Sequence, residues 1–194
     1  MYESIEKYAI EHNLPETRNA LPFARESHEG QLRKGPEGKR EPYITHPLQM
    51  AAHAIALGLD EDKLIAAILL HDVCEDCGVE SEELPVNADV QEAVGLVTRM
   101  DGESKEKYYG QIRENRLATM VKLIDRCHNV SQMSMAFSRE KLWKYIDETE
   151  NYVLPLLMEA KVKWPQYENQ YFLLEYQINS ILQTVKALLE REDL

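Results

Sequence analysis

The 194-residue chain has no apolar run approaching the ~20 residues that a membrane-spanning helix requires. Its first residues, Met1 to Lys7, lack the basic start and apolar centre of a signal peptide. A cytoplasmic location with no membrane partner is the expectation. Positive charge is scarce: 22 Lys and Arg stand against 34 Asp and Glu, a formal net charge of −12. Proteins that coat nucleic acids need basic patches large enough to displace the counterions of many phosphates, so that class is excluded. One small phosphorylated ligand is not, because a divalent cation and a few local Lys and Arg reverse the sign of a single pocket. Cysteine is scarce too, at three residues: Cys74, Cys77 and Cys127. An odd count without an export signal argues against a disulfide framework. The Cys74/Cys77 pair has no second pair to complete a zinc site and reads as two small half-buried residues on a helix end. Internal repeats, low-complexity tracts and long linkers are absent, and the eight Gly and eight Pro are spread as punctuation.

Strand-type alternation is nearly absent as well, while apolar spacings of three and four dominate. They predict helices over 2–12, 19–30 (capped by Asn19, with Pro22 in the first turn), 47–58, 61–77 (capped by Asp60), 88–99, 104–114, 116–135, 139–160 (opened by Ser138) and 166–191. The polar segment Gln31 to Pro42 is predicted to be a loop, and Gly78 to end the fourth helix. That helix is apolar almost all round, through Leu64, Ile65, Ala67, Ile68 and Leu69, and belongs at the centre of the fold. The expectation is one all-α domain over residues 1–194, with no oligomeric state specified.

Chemistry concentrates in three places. His71, Asp72, Glu75 and Asp76 lie toward one face at the end of the central helix. Burying three carboxylates there without a cation is expensive, and a divalent metal resolves the conflict. Asp125 and Asn129, four apart, project from an inward stripe that includes Val121, Leu123 and Ile124; His128 is either a residue behind the site or a surface histidine. His46 stands before Pro47, which holds it extended and fixes its direction. His12, His28 and His53 read as structural or surface residues.

Four motifs carry a family resemblance: A-x-x-x-H-x-G-Q-x-R-K at Ala24 to Lys34, E-P-Y-I-x-H-P at Glu41 to Pro47, H-D-V-x-E-D at His71 to Asp76, and V-K-L-x-D-R-x-H-N at Val121 to Asn129. In this order and spacing they resemble the hydrolase half of the RelA/SpoT alarmone enzymes, and in particular the stand-alone small alarmone hydrolases, an HD-domain helical bundle with a buried metal site. The resemblance implies that His46, His71, Asp72 and Asp125 hold one Mn²⁺. Glu75 and Asp76 then place or deprotonate the attacking water. Arg33 and Lys34 meet the base and phosphate, Asn129 lies near the ribose, and Tyr145 closes the pocket. The implied reaction is hydrolysis of (p)ppGpp to GDP or GTP plus pyrophosphate, in the degrading direction only, since 194 residues leave no room for a synthetase domain. Two features depart from the pattern: the longer loop from Gly35 to Arg40, and Cys77 where the family usually has Thr. The competing readings are an HD phosphatase acting on a deoxynucleoside monophosphate or the 2′-phosphate of NADPH, and a nucleotide-binding module without catalysis.

Overall fold

The computed structural model describes residues 1–35 and 39–191. In chain order the elements are α1 (Tyr2–Glu11), α2 (Pro15–Ser27), a hairpin of β1 (Leu32–Lys34) and β2 (Arg40–Pro42), α3 (Thr45–Ala56), α4 (Asp62–Leu70) and α5 (Val73–Cys77). They continue as α6 (Ala88–Val97), α7 (Lys105–Ile112), α8 (Arg116–Ala136), α9 (Arg139–Glu148), α10 (Leu154–Lys163) and α11 (Glu168–Arg191). Every residue from Leu64 to Leu70 is buried. Helix α4 is the axis of the fold, wrapped by α2, α3, α6 and α8, while α11 lies along the outer side of α8. From Leu64 onward the apolar residues all round α4 leave it no face for water.

Several element boundaries differ from the sequence-based expectation. Helix α2 begins at Pro15, and Asn19 is an exposed residue within it. Its start is capped from another helix: Asp62 of α4 accepts the backbone N–H groups of Glu16 and Thr17 at 3.0 and 2.8 Å. Those are first-turn donors that a helix cannot satisfy internally. Pro22 therefore lies inside the helix, where it removes the bond to the Arg18 carbonyl. Asp60 caps nothing at α4; it accepts the Tyr8 hydroxyl at 3.0 Å, and Glu61 occupies the N-cap.

The segment expected to be a loop is an antiparallel hairpin pairing Leu32 with Pro42, Arg33 with Glu41 and Lys34 with Arg40. Pro42 is tolerated because it ends its strand on a free edge. The Pro36–Gly38 part of the longer loop lies outside the described residues. Helix α3 starts at Thr45, so His46 is in its first helical turn rather than extended before it. Pro47 fits there because first-turn N–H groups have no intrahelical partner to lose.

The helix predicted over 61–77 is two helices. Asp72 adopts φ −101° and ψ −3°, in the sparsely allowed bridge region, and α5 restarts behind it. Gly78, at φ +68°, ends α5 in the left-handed conformation that glycine adopts without strain. The helix predicted over 139–160 is divided by a π-helical turn, Thr149–Val153, immediately before Pro155. Proline lacks the N–H for a regular bond and crowds the carbonyl four residues back, which accounts for the wider turn.

Candidate active site

The break between α4 and α5 sets the site. His71 closes α4 and Asp72 opens α5, so the two side chains are freed from the ~100° step of a continuous helix. His71 Nδ1 faces the Ile68 carbonyl at 2.9 Å. A carbonyl only accepts, so the proton sits on Nδ1 and Nε2 presents a lone pair. That Nε2 is buried with no hydrogen-bond partner among the described residues. It lies 2.9 Å from Asp72 Oδ2 and 3.9 Å from Asp125 Oδ1. His46 Nε2 lies 3.4 Å from Asp125 Oδ1 and 3.6 Å from Asp72 Oδ2. Imidazole lone pairs facing carboxylate oxygens repel unless a positive charge sits between them. The electrostatics report the same demand: burial lowers the His71 pKa, but Asp72 and Asp125 push it up to about 9. His46, His71 and Asp125 bring one donor atom each within 4.8 Å of one another. This donor set fits a divalent cation, with Asp72 at its edge.

Both carboxylates are held from behind. Asp72 Oδ2 accepts the Tyr43 hydroxyl at 2.5 Å. Burial raises the Asp72 pKa, but His71 more than offsets it and the group stays below the usual carboxylate range. Asp125 accepts Lys122 Nζ at 3.1 Å and Asn129 Nδ2 at 2.5 Å. Its burial is likewise outweighed, chiefly by Lys122, and its pKa lies well below the ordinary value. Asn129 thus touches Asp125 directly.

The donors open into a cleft of about 650 Å³. Its lining includes Arg33, Lys34, Glu75, Asn129 and Tyr145, which the sequence had singled out. It holds five cationic side chains (Arg33, Lys34, Lys122, Arg126, Lys141) against four acidic ones (Asp72, Glu75, Asp125, Glu148). A divalent cation would therefore make this cleft clearly positive within an acidic protein. Glu75 half-faces the cleft and accepts the Arg99 backbone N–H at 3.3 Å. Burial raises its carboxyl pKa. Asp76 does not line the cleft. It neighbours Tyr43 and Asp72, and burial raises its pKa too. Arg33 extends from the hairpin toward Tyr43 and donates Nη2 to Gln132 Oε1 at 3.3 Å. Tyr145 lies flat against Arg126, whose Cζ is 3.9 Å from the ring centre.

Tyr43, Lys122, Arg126 and Glu148 also build the site, and no role was assigned to them from sequence. Lys122 stands three residues before Asp125 on α8, a helical spacing that puts it beside that ligand, while Tyr43, in the turn before α3, reaches Asp72. Arg126, 2% exposed, donates to Glu148 at 2.5 Å, Thr149 at 3.1 Å and Tyr109 at 3.2 Å. His128 is buried, with Nδ1 2.9 Å from His46 Nδ1, and is no surface residue. Among the remaining histidines, His28 is buried between Gln31, Cys77 and Tyr43. His53 is half-buried on α3, and His12 stacks on Tyr8. Cys74 and Cys77 are half-buried free thiols at the α5 end.

Known proteins share this arrangement of sequence and fold. Residues 20–152 match the family described as HD domain. The guanosine-3′,5′-bis(diphosphate) 3′-pyrophosphohydrolase of Aquifex aeolicus is 36% identical over 152 residues, which is 73% of this chain and 21% of that protein. A GTP pyrophosphokinase of Myxococcus xanthus is 30% identical over 181 residues, 85% of this chain and 23% of that one. The chain spans about a fifth of the length of the curated relatives it matches. A solved structure described as a metazoan ortholog of SpoT that hydrolyses ppGpp superposes with a TM-score of 0.65 at 21% identity, covering 88% of this chain and 95% of that one. At that identity the superposition shows the shared fold.

Proposed function

The chain belongs to the HD domain family, and from that premise we propose that it is a divalent-metal-dependent hydrolase of (p)ppGpp, releasing pyrophosphate from the ribose 3′ position. The observation that carries this reading is the meeting of two imidazole lone pairs and two carboxylates on the floor of a basic-rimmed cleft. The proposed substrate follows the name of the Aquifex relative and the four ordered motifs, and residues 1–194 are taken to act as one domain.

His46, His71, Asp72 and Asp125 are the proposed ligands, and mixed nitrogen and oxygen donors suit Mn²⁺ among the first-row metals. When bound, such an ion lowers the pKa of a water and offsets charge developing on phosphorus. Tyr43, Lys122 and Asn129 keep the two carboxylates ionised and aimed. Glu75, on the cleft wall with its basicity raised by burial, takes the proton of the attacking water; Asp76, the other member of the acidic pair, helps to place that water. Attack breaks the bond between the 3′ oxygen and the diphosphate, so a 3′-hydroxyl nucleotide and pyrophosphate leave. Arg33 meets base and phosphate with a planar fork and Lys34 supplies a point charge. Asn129 lies beside the ribose, and Tyr145 forms the far wall.

The test is chromatographic product analysis of purified protein with ppGpp and Mn²⁺. Equimolar GDP and pyrophosphate are expected. Inert ppGpp beside hydrolysis of a deoxynucleoside monophosphate or NADPH would overturn the substrate, and no turnover of any of the three would overturn the enzyme.

A further inference from the structure

Behind His46 runs a hydrogen-bonded chain that the proposed ligand set does not use. His46 Nδ1 and His128 Nδ1 are 2.9 Å apart. One must donate and the other accept, and nothing within the pair decides which. The choice matters: if His46 keeps its proton on Nδ1, its Nε2 offers a lone pair to the site, and in the other tautomer it offers an N–H that no cation can use.

Gln49 decides. Its Oε1 is 2.7 Å from His128 Nε2, and an amide oxygen only accepts, so His128 carries its proton on Nε2. A neutral imidazole has one such proton, and His128, buried with only His46, Gln49 and Gln132 in hydrogen-bond contact, has no carboxylate against it among the described residues to hold a second. His128 Nδ1 is then bare and accepts from His46 Nδ1–H. The amide of Gln49 is oriented in turn. Gln132 Nε2 donates to the same Oε1 at 3.3 Å, and Gln132 Oε1 accepts from Arg33 Nη2 at 3.3 Å. A guanidinium has donors only, so the direction of the whole chain is imposed by Arg33. The 3.3 Å approach of Gln132 Nε2 to His128 Nε2 is then two donors converging on one shared oxygen. Arg33 is bonded through one terminal nitrogen, and its other, Nη1, is buried without a partner among the described residues.

We propose that Gln49, His128 and Gln132 form a positioning unit that holds His46 in its metal-ligating tautomer and ties that choice to the substrate-facing Arg33. It rests on the reading of His46 as a ligand given above. Groups behind a metal-bound histidine typically contribute roughly 10–100-fold in metal affinity.

The test is Mn²⁺ calorimetry on metal-stripped protein, with circular dichroism melts to check the fold. Gln49→Leu is expected to weaken Mn²⁺ binding roughly 10–100-fold. Gln49→Glu, which keeps an oxygen acceptor facing His128, is expected to bind within a few-fold of wild type. Gln49→Met serves if the Leu variant does not fold. Equal weakening by Leu and Glu, or none by Leu, would overturn the tautomer role and leave the hydrolase reading standing. Wild-type protein that takes up no Mn²⁺ would overturn both. Gln132→Leu, which frees Arg33 and removes the group that orients the Gln49 amide, should raise KM for ppGpp and also weaken Mn²⁺ binding. An unchanged KM would overturn the tie to Arg33.

Discussion

Asp125, with Asp72, joins the two halves of the site. It faces both imidazoles while Lys122 and Asn129 hold it from behind. Asp125→Ala is expected to abolish tight Mn²⁺ binding and turnover while leaving helical content near wild type. Metal analysis showing full occupancy in that variant would contradict the ligand assignment. Glu75 and Asp76 are the residues proposed to act on the water. Glu75→Gln and Asp76→Asn should retain the metal and lose turnover by ~10²–10⁴-fold, the usual contribution of a general base. Near-normal kcat in both would move water activation elsewhere. Most of these residues were legible as residues, because a carboxylate at the end of an apolar helical stripe asks for a partner. Their supporting neighbours were not. Tyr43, Gln49 and Gln132 carry no charge and stand in ordinary helix, turn and loop contexts, so only their positions in space mark them.

Among the elements, α8 is tied to the end of α9 by a largely buried ion pair. Arg126 of α8 is buried against Glu148, Tyr109 and the π-helical turn, and Lys105 of α7 reaches Glu148 at 3.0 Å. Burial raises the Glu148 pKa, but Arg126 and Lys105 outweigh it and hold the group at about 2. A pKa below its unfolded value contributes stability that is full above the ordinary glutamate range and is lost as pH falls toward 2. The shift corresponds to something on the order of 3 kcal/mol at neutral pH. Urea unfolding should therefore show Glu148→Gln clearly less stable than wild type at pH 7, with the gap narrowing by pH 3. A gap that does not depend on pH would deny the ionic role. Tyr145, which the sequence marked only as a wall of the pocket, rests on this brace through Arg126. The brace could not be read from the chain, because the π-helical turn interrupts a pattern that looks like one long helix.

For the molecule as a whole, metal and fold are linked. An ion that binds only the folded state adds about 2.7 kcal/mol of stability at a concentration 100-fold above its Kd. For a chain of this size that raises Tm by roughly 2–4 °C per kcal/mol. Chelator should thus lower the melting temperature of wild type and leave Asp125→Ala unmoved; equal shifts in both would place the metal elsewhere. Periodicity by itself determined that the protein is helical, that the segment from Leu64 to Leu70 is its centre, and that His71, Asp72, Glu75 and Asp76 gather at the end of that central helix; the resemblance of the motifs, not periodicity, joined His46 and Asp125 to them. Those are local properties: apolar spacing sets burial, and buried acids require compensation. Tertiary structure decided what depends on partners distant in the chain. Asp62 caps α2 across two helices, the Gln31–Pro42 segment pairs into a hairpin that delivers Arg33, and Asp72 breaks the central helix so that both its own carboxylate and the His71 imidazole face the same point. No local propensity encodes these, because each is stabilised by a group that only folding brings near.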